Sequence, residues 1–131
     1  MKMDIQEVMA LLIQACPSYQ NRAERYLNDN YEAGEQRLYY LEVADFAEHL
    51  FPRLLNQSTN EVKDVFSVVE RMYLEGNEEV QTLLTTGFFE SLQNRILACE
   101  GLQLSDFDHH LGRLSLATWR YLIQYWEGRD A

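Results

Sequence analysis

The chain has almost none of what a β-sheet or a disulfide-held fold is made from. No run alternates apolar and polar β-branched residues over a strand's length, so the signal of a half-buried sheet is missing. Proline occurs twice and glycine six times in 131 residues, too few for the many turns of a sandwich or barrel. The two cysteines, Cys16 and Cys99, lack zinc-ligand spacing and stand among apolar residues. Buried free thiols and a reducing compartment are the expectation. Basic residues are also short: 11 Lys and Arg against 21 Asp and Glu give a formal charge of -10. Such a charge repels phosphate backbones, so nucleic acid is not an expected partner. An acidic balance most often serves only solubility; the alternative is a surface shaped for a basic partner.

Long hydrophobic runs are absent too. No stretch approaches a membrane span, so no membrane partner is expected. In MKMDIQEVMALLIQAC the apolar run from Val8 to Ile13 is six residues, and Asp4 and Glu7 stand where a secretion signal needs positive charge. A cytoplasmic location is the expectation.

What the chain does have is helical periodicity. With 47% hydrophobic and 24% charged residues, it is expected to form one domain over residues 1–131. The organising stretch runs from Phe66 to Asn94. Val62, Val65, Phe66, Val69 and Tyr73 recur at three- and four-residue steps on one helical face. Glu75-Gly76-Asn77 then breaks the pattern: Gly76 suits the left-handed position past a helix end, and Asn77 suits an N-cap. Glu78 and Glu79 follow where carboxylates favour the helix dipole. Val80, Leu83, Leu84, Gly87 and Phe88 form the next apolar face, widened by Phe89, Leu92 and Ile96. That arc predicts a central helix over 77–97, covered on two sides. Gly87 costs about 1 kcal/mol against alanine in an exposed helix, which points to another helix crossing closely there.

Other helices are predicted around it. Residues 3–15 place Ile5, Val8, Met9, Leu12 and Cys16 on one face. Residues 18–32 carry Tyr19, Ala23, Tyr26, Leu27 and Tyr31, with Gly34 as terminator. A third helix from about 37 turns Tyr39, Val43, Phe46, Ala47, Leu50 and Leu54 inward and Glu42, Asp45, Glu48 and His49 outward, with a kink or break at Pro52. Ser58-Thr59-Asn60-Glu61 has the capping-box pattern for the fourth. A short piece over 105–111, capped at Ser105 or Asp106, precedes a last helix capped at Ser115, with Leu116, Trp119, Leu122, Ile123 and Trp126 inward. The fold class is all-α: five to seven helices in a compact bundle or short HEAT-like stack, with antiparallel neighbours.

Chemistry-bearing patterns are sparse. Asp106-Phe107-Asp108-His109-His110 is the nearest to a metal motif, but such sites draw ligands from other elements, and the only further histidine is His49. A cap and surface polar positions explain the cluster more simply; no metal or other cofactor is expected. There is no Gly-x-Ser-x-Gly elbow and no phosphate-cradling glycine loop, and neither cysteine has a histidine nearby in sequence. Neither enzymatic activity nor a small-molecule substrate is expected. Glu70 and Glu90 flank apolar stripes, where bonding to a neighbouring helix or to Arg71, Arg95 or Arg113 is commoner than acid–base catalysis. Two polar faces remain: Glu42, Asp45 and His49 on the third helix, and Glu79, Thr82, Thr86, Glu90 and Gln93 on the central one. Such faces are usually solvated. They are also where a protein partner is to be sought, with Glu42, Asp45, Glu79 and Glu90 as the candidate contacts.

Several of these residues carry a resemblance. Phe66, Glu70, Glu75-Gly76, Glu79-Val80-Gln81, Gly87-Phe88-Phe89-Glu90 and Leu92-Gln93-Asn94, with Leu111-Gly112, Trp119 and Trp126, resemble a group of small bacterial helical proteins. That group occurs among the immunity proteins of polymorphic and contact-dependent toxin systems. The resemblance covers residues 38–127 and is densest over 66–94. It implies a single-domain helical protein that binds and neutralises a cognate toxin in the producing cell. With the acidic balance, a basic toxin is the expected partner. The alternative is a non-enzymatic helical adaptor or regulatory protein without a toxin partner. The matching positions are core and turn residues, so no binding residues are carried over from it.

Overall fold

The structure, a computed structural model, describes residues 2–56 and 60–128. Its α-helices are α1 (Val8–Ala15), α2 (Gln20–Asn30), α3 (Tyr39–Asn56), α4 (Asn60–Glu75), α5 (Glu78–Thr82), α6 (Glu90–Leu97) and α7 (Arg113–Trp126). The fold is all-α, as the periodicity implies. Among the described residues the only β-like feature is an isolated parallel bridge between Met3 and Gly76. No described helix is long and apolar enough to cross a membrane.

The predicted central helix exists, with one departure. A π-helix over Leu83–Phe89 joins α5 to α6, and the Glu90 N–H reaches back five residues to the Thr85 carbonyl. Hydroxyls compete for carbonyls along this stretch: Thr85 Oγ1 donates to the Gln81 carbonyl at 2.8 Å and Thr86 Oγ1 to the Thr82 carbonyl at 2.9 Å. One extra residue in a turn rotates everything after it by about 100°. Gln93, placed by α-periodicity on the polar side with Glu79 and Thr86, is instead fully buried.

The helix crossing expected at Gly87 is there. A Cβ on Gly87 would lie 2.8 Å from Val43 Cγ2 and 3.3 Å from Tyr40 Cδ1, so α3 meets the π-helix almost backbone to side chain. Further along, Arg95 pairs with Glu48 at 3.4 Å and sits 4.6 Å over the Phe51 ring. The two helices therefore run side by side in the same direction, because α4 carries the chain back between them. Antiparallel packing does not describe this pair. Phe46, Phe66, Phe88 and Phe89 continue the core, with Phe89 meeting Trp119 edge to face at 5.3 Å. Trp119 is 1% exposed and donates its indole N–H to the Leu104 carbonyl at 3.0 Å.

Several local expectations change. α3 continues through Pro52 to Asn56 without a break; Pro52 and Glu48 both lie on its exposed side, where water can replace the missing donor. Gly76 is not left-handed, since only Gly34, Gly101 and Gly128 have positive φ among the described glycines. Its constraint is space: a Cβ would fall 2.5 Å from the Met72 carbonyl oxygen and 2.6 Å from Val80 Cγ1. Met3 lies along the same turn, donating to the Glu75 carbonyl and accepting from the Asn77 N–H, both at 2.9 Å. Asn77 does cap α5, accepting the Val80 N–H at 3.0 Å. α1 begins at Val8 behind a 3-10 turn over Ile5–Glu7. α2 ends at Asn30, leaving Tyr31 extended and Gly34 in the turn beyond. A 3-10 helix spans Leu104–His110 with Gln103 as its N-cap, not Ser105 or Asp106, and Gly112, not Ser115, caps α7. Of the fourth-helix capping box, Ser58 and Thr59 lie outside the described residues. Cys16 is a buried free thiol, whereas Cys99 is half-buried. Trp126, expected inward, keeps 39% of its surface exposed.

Replacing Gly87 with leucine is expected to cost about 1–3 kcal/mol by overpacking against Val43 and Tyr40, read as a lower midpoint in urea unfolding. Trp119→Ala is expected to cost about 3–5 kcal/mol and Trp126→Ala much less. Acrylamide titration of native fluorescence should find one protected and one accessible tryptophan.

Candidate functional site

The most elaborate polar arrangement lies where α3 meets the amino-terminal segment. Glu42 and Asp45, read from the sequence as a solvated face, stand beneath that segment instead. Glu42 is 2% exposed. Its Oε2 accepts from the Tyr31 hydroxyl at 2.8 Å and from Arg37 Nε at 2.8 Å, while Arg37 Nη2 reaches Oε1. Asp45 repeats the pattern one helical turn on. The Tyr19 hydroxyl donates to Oδ2 at 2.7 Å, and Arg22 holds both oxygens at 3.2 and 2.8 Å. Each carboxylate is thus clamped by one tyrosine and one arginine from the segment that crosses it. Burial works against the Asp45 charge, but the Arg22 and Tyr19 bonds outweigh it and hold its pKa below the ordinary value. Burial and the same carboxylate push the Tyr19 phenol upward, so it stays a donor.

A third junction extends this seam. The Ser18 N–H and hydroxyl both donate to Glu61 on α4, each at 2.8 Å, and Ser18 Oγ is 3.0 Å from His49 Nε2. Serine has one hydroxyl hydrogen, and here it goes to the carboxylate. The imidazole therefore donates to the hydroxyl, the reverse of a serine activated by a histidine base. Cys16 Sγ lies 3.5 Å from the same hydroxyl, but burial pushes the thiol pKa up and away from thiolate. Serine, histidine, glutamate and cysteine come together here as a junction of α3 and α4 with the segment before α2, with the donor order wrong for a nucleophile. Periodicity did not find it; the signal available was that Tyr19 and Arg22, like Glu42 and Asp45, are three apart and share a helical face.

The remaining candidates are placed differently. Asp106 Oδ2 accepts the Gln103 N–H at 2.9 Å as a cap, and Asp108 pairs with Arg120 at 3.3 Å. His110 is stacked with Phe66 at 5.7 Å and lies 4.0 Å from the His109 ring. Among the described residues no three His, Cys, Asp or Glu side chains are grouped to hold a metal ion. Glu70 caps α7 from outside it: its Oε2 and Oε1 accept the Leu114 and Ser115 N–H groups, both at 2.9 Å. A Cβ on Gly112 would fall 2.6 Å from that carboxylate, which would have to shift from its place on the α7 N–H groups. Burial opposes the Glu70 charge and the two backbone donors more than compensate, so its pKa is lowered. Glu79 is exposed at the first turn of α5 and Glu90 half-buried at the start of α6. Of the four candidate partner contacts, only these two have carboxylates without a hydrogen bond or ion pair among the described residues.

The fold and these junctions define a small all-α domain whose carboxylates tie helices together. The chain belongs to the family described as Domain of unknown function (DUF7674), which matches residues 9–127. No curated protein and no solved structure matches the chain.

Glu42→Gln should destabilise the fold by about 1.5–3 kcal/mol, the scale of hydrogen bonds to a charged group, while Glu79→Gln should change stability by less than about 0.5 kcal/mol. Chemical denaturation of both variants checks the contrast. Stability should also fall in two stages on acidification. Burial lowers the pKa of His49 and His110 from 6.5, so the folded state favours their neutral forms, and that stability is lost as pH falls below 6.5. Asp45, Glu61 and Glu70 are depressed from 3.8, 4.5 and 4.5, so theirs is present above these values and lost below them. Melting temperature against pH should show both windows, with His49→Asn reducing the first.

Proposed function

We propose that this protein is an immunity protein, which binds a cognate, net-basic bacterial toxin in the cytoplasm of the producing cell and neutralises it stoichiometrically. One observation carries the reading: the way the charges are spent. Among the described residues, six of the chain's 11 basic side chains, Arg22, Arg37, Arg53, Arg71, Arg95 and Arg120, are seen in ion pairs with its own carboxylates. Lys2, Arg25, Lys63 and Arg113 are exposed as well, but exposed carboxylates such as Asp4, Glu24, Asp29, Asp64, Glu78, Glu79 and Glu100 outnumber them. A field of that sign accelerates encounter with a basic surface. The resemblance of the 66–94 segment to immunity proteins supports the same reading. Neutralisation is by contact, and no reaction is assigned to the protein.

Within this reading the four acidic candidates divide. Glu79 and Glu90 act on the partner directly. Glu42 and Asp45 act inside the molecule, by holding the amino-terminal segment on α3.

A pull-down from the native host, with mass spectrometry of stoichiometric partners, should recover a basic toxin. An isolated gene and no such partner would favour the adaptor alternative. With the toxin in hand, the on-rate should fall as salt rises, because the Debye length shrinks from about 10 Å at 0.1 M to about 3 Å at 1 M. Glu79→Gln/Glu90→Gln should slow association more than dissociation changes. A salt-independent on-rate would remove the steering argument, and an unaffected double variant would place the contact elsewhere.

A further inference from the structure

Between α6 and α7, closed by the turn and 3-10 helix that join them, lies a groove of about 490 Å³. Its walls are Leu97, Leu102, Leu104, Ile123 and Trp126, with Glu127 at the edge. Leu97 and Trp126 keep 51% and 39% of their surface exposed, and Tyr125 beside them 58%. The groove is already ordered. The Trp126 indole N–H donates to Gln93 Oε1 at 2.8 Å, and the Gln93 amide donates to the Trp119 carbonyl at 3.2 Å. An aromatic wall held in place before binding loses little freedom when a partner arrives.

Among the described residues the cations of α6 and of the second half of α7, Arg95 and Arg120, are paired with Glu48 and Asp108, and the charge left around the groove is negative. Leu97 and Trp126 are the last residues of α6 and α7, so two helix carboxyl ends, each carrying partial negative charge, open on it. The last turn of α7 holds no basic residue, and the Arg95 of α6 is paired with Glu48. Glu100 is exposed in the turn between Leu97 and Leu102, and Asp106 follows Ser105 at the far edge. Apolar walls alone would accept any hydrophobic side chain. Apolar walls between two negative helix ends select one flanked by cations.

We infer that this groove is the docking site for an apolar side chain carried on a basic segment of a protein partner. The inference rests on the immunity reading for the partner's role, and on the groove for its chemistry. The apolar side chain fills the space between Leu97, Ile123 and Trp126. Lysine or arginine residues on either side of it meet the helix ends, with Glu100 and Asp106 within the same surface.

The test uses the full chain, labelled with ¹⁵N, and follows its two indole N–H signals. The probe is an amphipathic Leu/Lys peptide of about 14 residues, four helical turns. Leu/Glu and Ser/Lys peptides of equal length are the controls. The Leu/Lys peptide should shift the Trp126 signal saturably, leave that of buried Trp119 in place, and bind at least about tenfold more tightly than either control. Leu97→Ser and Glu100→Gln, both at exposed positions, should each weaken it by about threefold or more without altering the melting temperature. Equal binding of Leu/Glu would remove the charge selection, and equal binding of Ser/Lys would remove the groove. No Trp126 shift would overturn the inference, and so would a shift that appears with protein concentration alone, which would make a second copy the occupant. Failure to capture a toxin would sink the functional reading while leaving the peptide result standing. A captured toxin indifferent to Leu97→Ser would sink the groove as its docking site and spare the reading.

Discussion

A side chain on Gly87 would stand 2.8 Å from Val43, so α3 and the central helix meet at a distance only a bare backbone allows. Much of the architecture follows from that approach. It lets Phe46, Phe66, Phe88 and Phe89 close over the crossing as a continuous aromatic core. It also brings α3 parallel to the π-helix and α6, from Tyr40 and Val43 at Gly87 to Glu48 at Arg95. The wide turn at Leu83–Phe89 belongs to the same constraint. By rotating α6 it carries Gln93 into the interior, where it joins Trp119 to Trp126 and sets the wall of the carboxyl-terminal groove.

The acidic residues do two kinds of work. Glu42, Asp45, Glu61 and Glu70 are joints: each accepts two or more hydrogen bonds from outside its own helix, over 5 and 11 residues at Glu42 and over 23 to 45 residues at the other three. Burying a carboxylate is unfavourable, and removing one partner from such a pair leaves a charge without compensation. These junctions therefore fix which surfaces meet. Hydrophobic burial supplies the drive to bring them together. Exposed carboxylates such as Asp64, Glu78, Glu79 and Glu100 have no such role, and they give the surface its sign.

Positions far apart in the sequence take on physical meaning from this. Glu70 and Gly112 are the two halves of one cap on α7. Gly87 is the helix crossing, and Gln93 with Trp126 is the brace at the groove. These are requirements of the fold.

Helix content, the place of the central helix, the Asn77 cap and the tight packing at Gly87 were all determined by the sequence, because they depend on periodicity, on local capping chemistry and on the cost of glycine in a helix. Nothing in periodicity distinguishes a polar face that meets water from one that meets an arginine. Glu42 and Asp45 repeat at helical spacing in either case, and only the path of residues 16–38 across α3 decides which it is. The same holds for Gln93, whose face depends on a π-turn that α-spacing does not register, and for Trp126, whose neighbour on one side is a groove. Gly76 was legible as a turn but not as a contact, since its constraint comes from Met72 and Val80 and not from its own dihedral angle. Local energies were readable along the chain. Which surfaces meet was decided by the tertiary structure, because a carboxylate's partners come from elsewhere in the sequence.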